Sequence, residues 1–235
     1  FPNGMVNPNF YMANNEDRYD RYGFNGNFFV QIEPIKNLRI VSRAGIDGYF
    51  KLNNWHTNPS YVSGGYASTA SAGKSTAFDY SATITNTIEY SFNIGDNNQV
   101  TLLAGHEGVT NHYDTFNAYS AGITDDRLIN LQNGTQKTFD VSESFSASKF
   151  LSFFGRAEYS YADKYYFDAS VRNDASSRFG PNNRNATFWA VGGMWKMKNE
   201  SFMQNAYWLN DLNLKVSYGT QGNASIGNYQ HYALL

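Results

Sequence analysis

Four local patterns in this chain have the residue types of chemical sites. Ser146-Ala147-Ser148-Lys149 sets a lysine three residues after a serine, the spacing at which an amine can take a proton from a nucleophilic hydroxyl. No Ser-Asp-Asn or Lys-Thr-Gly partner follows it, and the segment sits just before an alternating strand pattern, so no catalysis is expected of it. Gly73-Lys74-Ser75 resembles the end of a phosphate-binding loop, but Ser68 stands where the first glycine belongs and no helical period follows. Asp125-Asp126 with Asn130 and Asn133 offers oxygens to a hard cation without the Asp-x-Asp-x-Asp-Gly order, and reads as a solvated loop. The histidines His56, His106, His112 and His231 are scattered, only His106 and His112 being near each other, and read as structural rather than as metal ligands. The chain is therefore expected to carry no catalytic, cofactor-binding or metal-ligating residues and not to be an enzyme.

Binding is the better expectation. Trp55, Tyr61, Tyr66 and Tyr119 lie in long polar segments, where a ring can stack on a sugar or dock a partner; packing of these rings against one another stays open beside that. Arg39, Arg43, Arg156, Glu158, Asp168 and Arg172 share the polar parity of their strands. They could line a transport path, or tie a second domain to the wall through ion pairs.

What must position these residues is a set of long strands. In Phe154 to Gly180, Gly155, Ala157, Tyr159 and Tyr161 hold one parity, joined before them by Phe153, while Arg156, Glu158 and Ser160 hold the other. After the Asp163-Lys164 turn, Tyr165, Phe167, Ala169 and Val171 continue the apolar set, and Asp168, Ser170, Arg172 and Asp174 the charged one. Side chains change face at every strand residue, so this is a hairpin with one greasy and one ionic wall. Arms of about ten residues match a tilted transmembrane strand and exceed the usual five or six of soluble sheets. The strand Tyr80 to Phe92 repeats the pattern with aromatics at both ends and aliphatics between them; Asn86 is its one misfit.

The whole chain divides into about eight such strands in four hairpins. They are Tyr22–Glu33 with Leu38–Phe50, Phe78–Ile94 with Gln99–Asp114, the Phe154 hairpin, and Thr187–Lys198 with Leu212–Thr220. The strand Gln99–Asp114 alternates too poorly for its faces to be assigned. Long polar connections are expected over Lys51–Ala77, Thr115–Lys149 and Ser176–Ala186. Alternating short and long connections are the asymmetry of an outer-membrane barrel, with short turns in the periplasm and long loops outside.

Composition agrees. The chain has 41% hydrophobic and 17% aromatic residues, with 18 Tyr and 18 Phe, and no apolar run long enough for a membrane helix. A net charge of -2 argues against nucleic acid as a partner, and the absence of cysteine excludes a disulfide scaffold. FPNGMVNPNF has neither the basic nor the apolar region of a signal peptide, and small inward residues such as Gly45, Ser170 and Gly192 suit a wide, watery lumen. Unpaired edges are costly in lipid, so the expectation is an interior segment of a longer polypeptide whose other strands close the barrel.

FGRAEYSYADKYYFDASVRNDASSRFGPNNR, followed by TFWAVGGMWKMKNESFM, WLNDLNLKVSYGTQGN and IGNY, resembles the SusC/RagA-type TonB-dependent outer-membrane transporters of Bacteroidetes. NPNFYMANNEDRYDRYGFNGNFFVQIEPIKNLRIVSRAGIDGY is similar to earlier strands of that family. Ala175 departs from its usual glycine, and Phe188-Trp189-Ala190-Val191 from a usual proline-containing stretch. The resemblance implies an all-β antiparallel transmembrane barrel of about 22 strands, with a plug and a TonB-box lying outside this segment. It also implies a SusD-like surface lipoprotein as lid, TonB as energy source, and import of a glycan or oligopeptide across the outer membrane. A non-catalytic surface β-protein, or a passive channel, is the alternative from the residues alone.

Overall fold

The computed structural model describes residues 8–58, 70–125, 127–179 and 184–222. A seven-residue helix, α1 (Pro8–Asn14), precedes the strands. These are β1 (Glu16–Ile35), β2 (Leu38–His56), β3 (Ala70–Ile94), β4 (Asn98–Ile123), β5 (Asp140–Tyr161), β6 (Tyr165–Ser176), β7 (Asn185–Lys196) and β8 (Asn213–Gly219). They form one eight-stranded antiparallel sheet in chain order.

All four expected hairpins are present, but two connections expected over Lys51–Ala77 and Thr115–Lys149 are in large part strand. β2 continues to His56, β3 starts at Ala70, β4 runs 26 residues to Ile123, and β5 starts at Asp140. Alternation fades there because polar side chains stand on both faces, yet the backbone ladder does not depend on side-chain polarity. The third expected connection is sound, since β6 ends at Ser176 and β7 begins at Asn185.

The short turns carry left-handed residues: Asn37 (φ 66), Gly95 (φ 66), and the pair Ala162 (φ 51) and Asp163 (φ 55). Positive φ at successive positions gives the primed turn whose twist matches two paired strands. Between β7 and β8 the connection is longer. It folds into two 3-10 turns, Met197–Asn199 and Ser201–Met203, and Lys198 Nζ donates to the carbonyls of Met203 and Ala206 at 3.3 and 2.7 Å.

Register fixes the two walls. On one face Gly155 faces Val171, Ala157 faces Ala169, Tyr159 faces Phe167 and Tyr161 faces Tyr165; on the other Arg156 faces Ser170 and Glu158 faces Asp168. β7 and β8 keep the rule, with Trp195 opposite Leu214 and Met194 opposite Lys215. The apolar wall is uncovered: Phe28 is 68% exposed, Phe167 57% and Val216 68%. Side chains of this kind, repeated along the sheet, call for an apolar surrounding.

Contacts divide the chain into two compact units. The first gathers the described residues of Phe1–Asn25, Asp47–Ser81 and Asn111–Ala147. Its small core is Ala70, Ala72 and Ile123 with Leu131 against them. Ser120 Oγ donates to the Leu131 carbonyl at 2.7 Å, and Thr138 Oγ1 donates to that of Ala121 at 2.6 Å, pinning the connection between β4 and β5. An aromatic row runs through this unit: Phe24 stacks near Phe78, Tyr80 stacks on His112 at 5.1 Å, and His112 meets the edge of Phe145 at 5.1 Å.

The second unit holds Gly26–Ile46, Ala82–Thr110 and the described residues from Ser148 onward. It has its own aromatic row beside the Ala162-Asp163 turn, where Tyr161, Tyr165, Trp195 and Phe202 succeed one another at 6.3–6.4 Å. Here the Asn86 misfit finds its reason. Asn86 Nδ2 lies 3.0 Å from His106 Nε2, so two polar groups of the apolar wall satisfy each other.

Candidate functional site

The ionic wall of the second unit is where charged side chains converge. Arg172 is its hub. Its Nη2 donates to Glu107 Oε1 at 3.0 Å and to Ser152 Oγ at 2.9 Å, and its Nε donates to Asp174 Oδ1 at 2.6 Å. The guanidinium also lies over the Phe154 ring, 5.6 Å from its centre. Thr85 Oγ1 donates to the other oxygen of Glu107 at 3.2 Å, which draws β3 into the network. Arg39 donates to Glu89 at 2.7 Å, and Arg156 pairs with Glu158 at 2.8 Å. Single exposed pairs contribute only about 0.2–1 kcal/mol each, so these contacts hold side chains in place more than they hold the sheet together.

Arg156, Glu158, Tyr166, Asp168 and Lys215 line one polar concavity of about 500 Å³. Asp168 leans over Gly192, where a β-carbon would sit 2.5 Å from Oδ1; the missing side chain is what admits the carboxylate. This surface carries both signs of charge, hydroxyls and an aromatic ring. It can exchange hydrogen bonds with a polar solute or with a polar protein surface.

Of the residues singled out from sequence, Arg39, Arg156, Glu158, Asp168 and Arg172 stand on this wall, and Arg43 is exposed at the same parity of β2. In the first unit, Trp55 and Tyr119 come together with ring centres 5.6 Å apart. Trp55 also edges a polar pocket of about 230 Å³ with Glu16, Arg18, His56 and Lys74. Tyr61 and Tyr66 lie outside the described residues. Asp125 is taken up by Arg127, whose Nη2 reaches it at 2.6 Å and holds its carboxyl down at about 2; Asp126 and His231 lie outside the described residues. Among the described residues, no group of acidic and histidine side chains forms a metal site.

Sequence reasoning missed Glu107, because β4 alternates too poorly to show its faces. It also missed cation–aromatic pairs of the first unit, Arg21 over Tyr49 at 4.0 Å and Lys51 over Tyr19 at 4.8 Å, which depend on an inter-strand register that sequence does not give.

A second polar cluster forms at the turn end of the second unit. Glu200 accepts from Lys164 Nζ at 2.9 Å, Tyr165 OH at 2.6 Å and Trp195 Nε1 at 3.1 Å. Those donors push its carboxyl down to about 2, with the Tyr165 hydroxyl the largest influence. The same bond raises Lys164 above its ordinary value, and Asp163 is lowered by Tyr166 and Lys196. Asn199 Nδ2 donates to the Asp163 carbonyl at 2.8 Å. The β7–β8 connection is thereby fastened across the β5–β6 turn.

No family model matches the chain. It is 30% identical over 234 residues to "TonB-dependent receptor P26" of Formosa agariphila, covering 97% of the chain and 23% of that protein. It is 27% identical over 229 residues to "TonB-dependent receptor SusC" of Bacteroides thetaiotaomicron, covering 97% of the chain and 22% of the relative. Among solved structures it is similar to the RagAB peptide transporter, with a TM-score of 0.88 and 37% identity over 94% of the chain and 25% of the other. The same importer in its "open-open" state gives 0.87. The chain thus spans about a quarter of the length of these relatives.

Proposed function

Because the chain belongs to the SusC/RagA-type TonB-dependent receptors of the Bacteroidetes outer membrane, we propose that its eight strands form part of the wall of an active importer. The cargo is a glycan or oligopeptide. The single observation that carries this reading is the two-walled sheet: membrane-facing rings and aliphatics on one side, and on the other the Arg172–Glu107 network beside the Arg156–Asp168 concavity. A path for a polar solute needs hydrogen-bonding groups that hold no solute tightly, and half-exposed groups of mixed charge meet that need.

In this reading Trp55 near the end of β2 and Tyr119 near the end of β4 form the outer mouth together with the long connections that follow those strands. They contact cargo or a SusD-like surface lipoprotein that closes over it. The ionic wall, with Arg39, Arg43, Arg156, Glu158, Asp168 and Arg172, faces the lumen and a plug carried elsewhere in a polypeptide of the relatives' length. TonB acts on that plug through its TonB-box, and the work so delivered opens the path. The further strands of such a polypeptide pair with the outer edges of β1 and β8. The relatives are named as receptors and transporters, and the reading assigns no catalysis to this chain.

Uptake tests it. Cells expressing the full-length receptor are given fluorescent oligopeptide and oligosaccharide pools, with and without TonB. Accumulation that needs both receptor and TonB is expected; accumulation that persists without TonB would instead indicate a passive channel.

A further inference from the structure

The second unit carries an apolar groove of about 940 Å³ that the transport reading leaves unused. Its lining takes three successive residues from each of β1 to β5, centred on Asn27, Gly45, Thr83, Val109 and Phe150, and continues on β6. The central residues belong to the ionic parity and contribute backbone as floor. The flanking residues belong to the membrane-facing parity and contribute side chains as walls, among them Phe28, Ile46, Ile84 and Leu151. At Gly26 and Gly108 the wall is low. A β-carbon there would make ordinary van der Waals contact with Ile46 at 3.7 Å and with Ile84 at 3.5 Å, so small side chains are tolerated and only a large one would fill the trough.

One end of this groove is cationic. Lys149 sits on the membrane-facing parity of β5, an exception to the rule that keeps charge off that wall, and Arg184 lies beside it in the lining. Lys149 is exposed, and its backbone is fixed to Ser177 by two bonds of 2.9 Å, its N–H to Oγ and its carbonyl to the Ser177 N–H. Neither cation forms an ion pair among the described residues. Lys149 lies 12 residues along β5 from Tyr161, which stands in the aromatic row at the turn. At about 3.3 Å per residue and a tilt near 40°, that is roughly 30 Å along the membrane normal. Lys149 therefore stands at the outer interface, where the cost of a lipid-facing cation falls away and lipid phosphates lie. Crossing six strands, five spacings of about 4.8 Å, gives the groove a length of roughly 24 Å, enough for an extended acyl chain.

We propose that this groove is a specific seat for a phosphorylated, acylated glycolipid of the outer leaflet. One acyl chain lies in the trough between Phe28, Ile84 and Leu151, and the phosphate is held by Lys149 and Arg184. The proposal rests on the membrane-facing assignment of this wall, not on the identity of the cargo.

Native mass spectrometry of the full-length receptor in mild detergent tests it, with monophosphoryl lipid A, phosphatidylethanolamine and inorganic phosphate as separate probes. Lipid A is expected to bind at least tenfold more tightly than phosphatidylethanolamine, and inorganic phosphate to displace it poorly. The double change Lys149→Gln with Arg184→Gln should weaken lipid A binding at least tenfold, and Gly108→Phe, which fills the trough, should do the same. Heat-modifiable migration on gels shows that each variant is folded. Equal lipid A binding by wild type and both folded variants would overturn the proposal, as would full displacement by inorganic phosphate or preference for phosphatidylethanolamine. TonB-dependent uptake is measured in parallel, so failure of the lipid seat and failure of the importer reading are told apart.

Discussion

Ile84 and Thr85 are adjacent on β3 and point to opposite walls, so arginine at each asks the same question of two environments. Ile84 is 47% exposed on the apolar wall. Arginine on the lipid face costs about 2–4 kcal/mol near the midplane, which is a factor of roughly 30 to 900 in the folding equilibrium. Thr85 stands on the ionic wall with its hydroxyl 3.2 Å from Glu107. Thr85→Arg loses that bond, about 0.5–1.5 kcal/mol, but sets a cation beside the same carboxylate, so the net change stays within about 1 kcal/mol. The assay is urea-dependent folding of the full-length receptor into lipid vesicles, read by heat-modifiable migration and by the yield in the outer membrane. Ile84→Arg should shift the midpoint strongly and cut the yield, with Thr85→Arg near wild type. Equal damage from the two would refute the assignment of walls.

Glu107→Gln should loosen Arg172 and destabilise by about 1 kcal/mol, and a double-mutant cycle with Arg172→Gln should return a coupling of that size; additive effects would remove Arg172 as the hub. Glu200 has its carboxyl depressed to about 2, so its contribution is fully present above the ordinary glutamate range, near pH 4.5, and is lost as pH falls through 2. Lys164 is raised, so its share is present below the ordinary lysine value and is lost as pH rises through its folded one. Trp195 fluorescence should thus report an acid limb between about pH 4.5 and 2 that Glu200→Gln abolishes. A membrane-impermeant maleimide on intact cells should label cysteine at Asn130, in the long β4–β5 connection, and not at Asn97, in the short β3–β4 turn. The reverse pattern would invert the topology.

The fold was readable from sequence where one strand face is apolar and the other polar, as in Phe153 to Val171, because period two is then imposed by two solvents. It was unreadable where both faces are polar. Lys51–Ala77 and Thr115–Lys149 read as loops although β2 to β5 run through much of them, since ladder hydrogen bonds leave no mark on side-chain type. Asn86 looked like an error in the pattern until register put His106 beside it. The charged residues of the site were visible as a parity class, but their partners were not. Arg172 meets Glu107 from a strand 65 residues earlier in the chain, and only inter-strand register states that. From sequence Trp55 and Tyr119 read as separate loop rings, whereas the structure sets them on β2 and β4 with ring centres 5.6 Å apart.

The two-walled sheet is tested most directly by spin-label accessibility along β5, from Phe153 to Tyr161, in the full-length receptor reconstituted in lipid. Oxygen, which concentrates in the bilayer, should reach Phe153, Gly155, Ala157 and Tyr159 best. A water-soluble nickel chelate should reach Phe154, Arg156, Glu158 and Ser160 best, so the two profiles alternate with period two and opposite phase. Profiles in phase, or without a period of two, would mean that this sheet does not divide lipid from water.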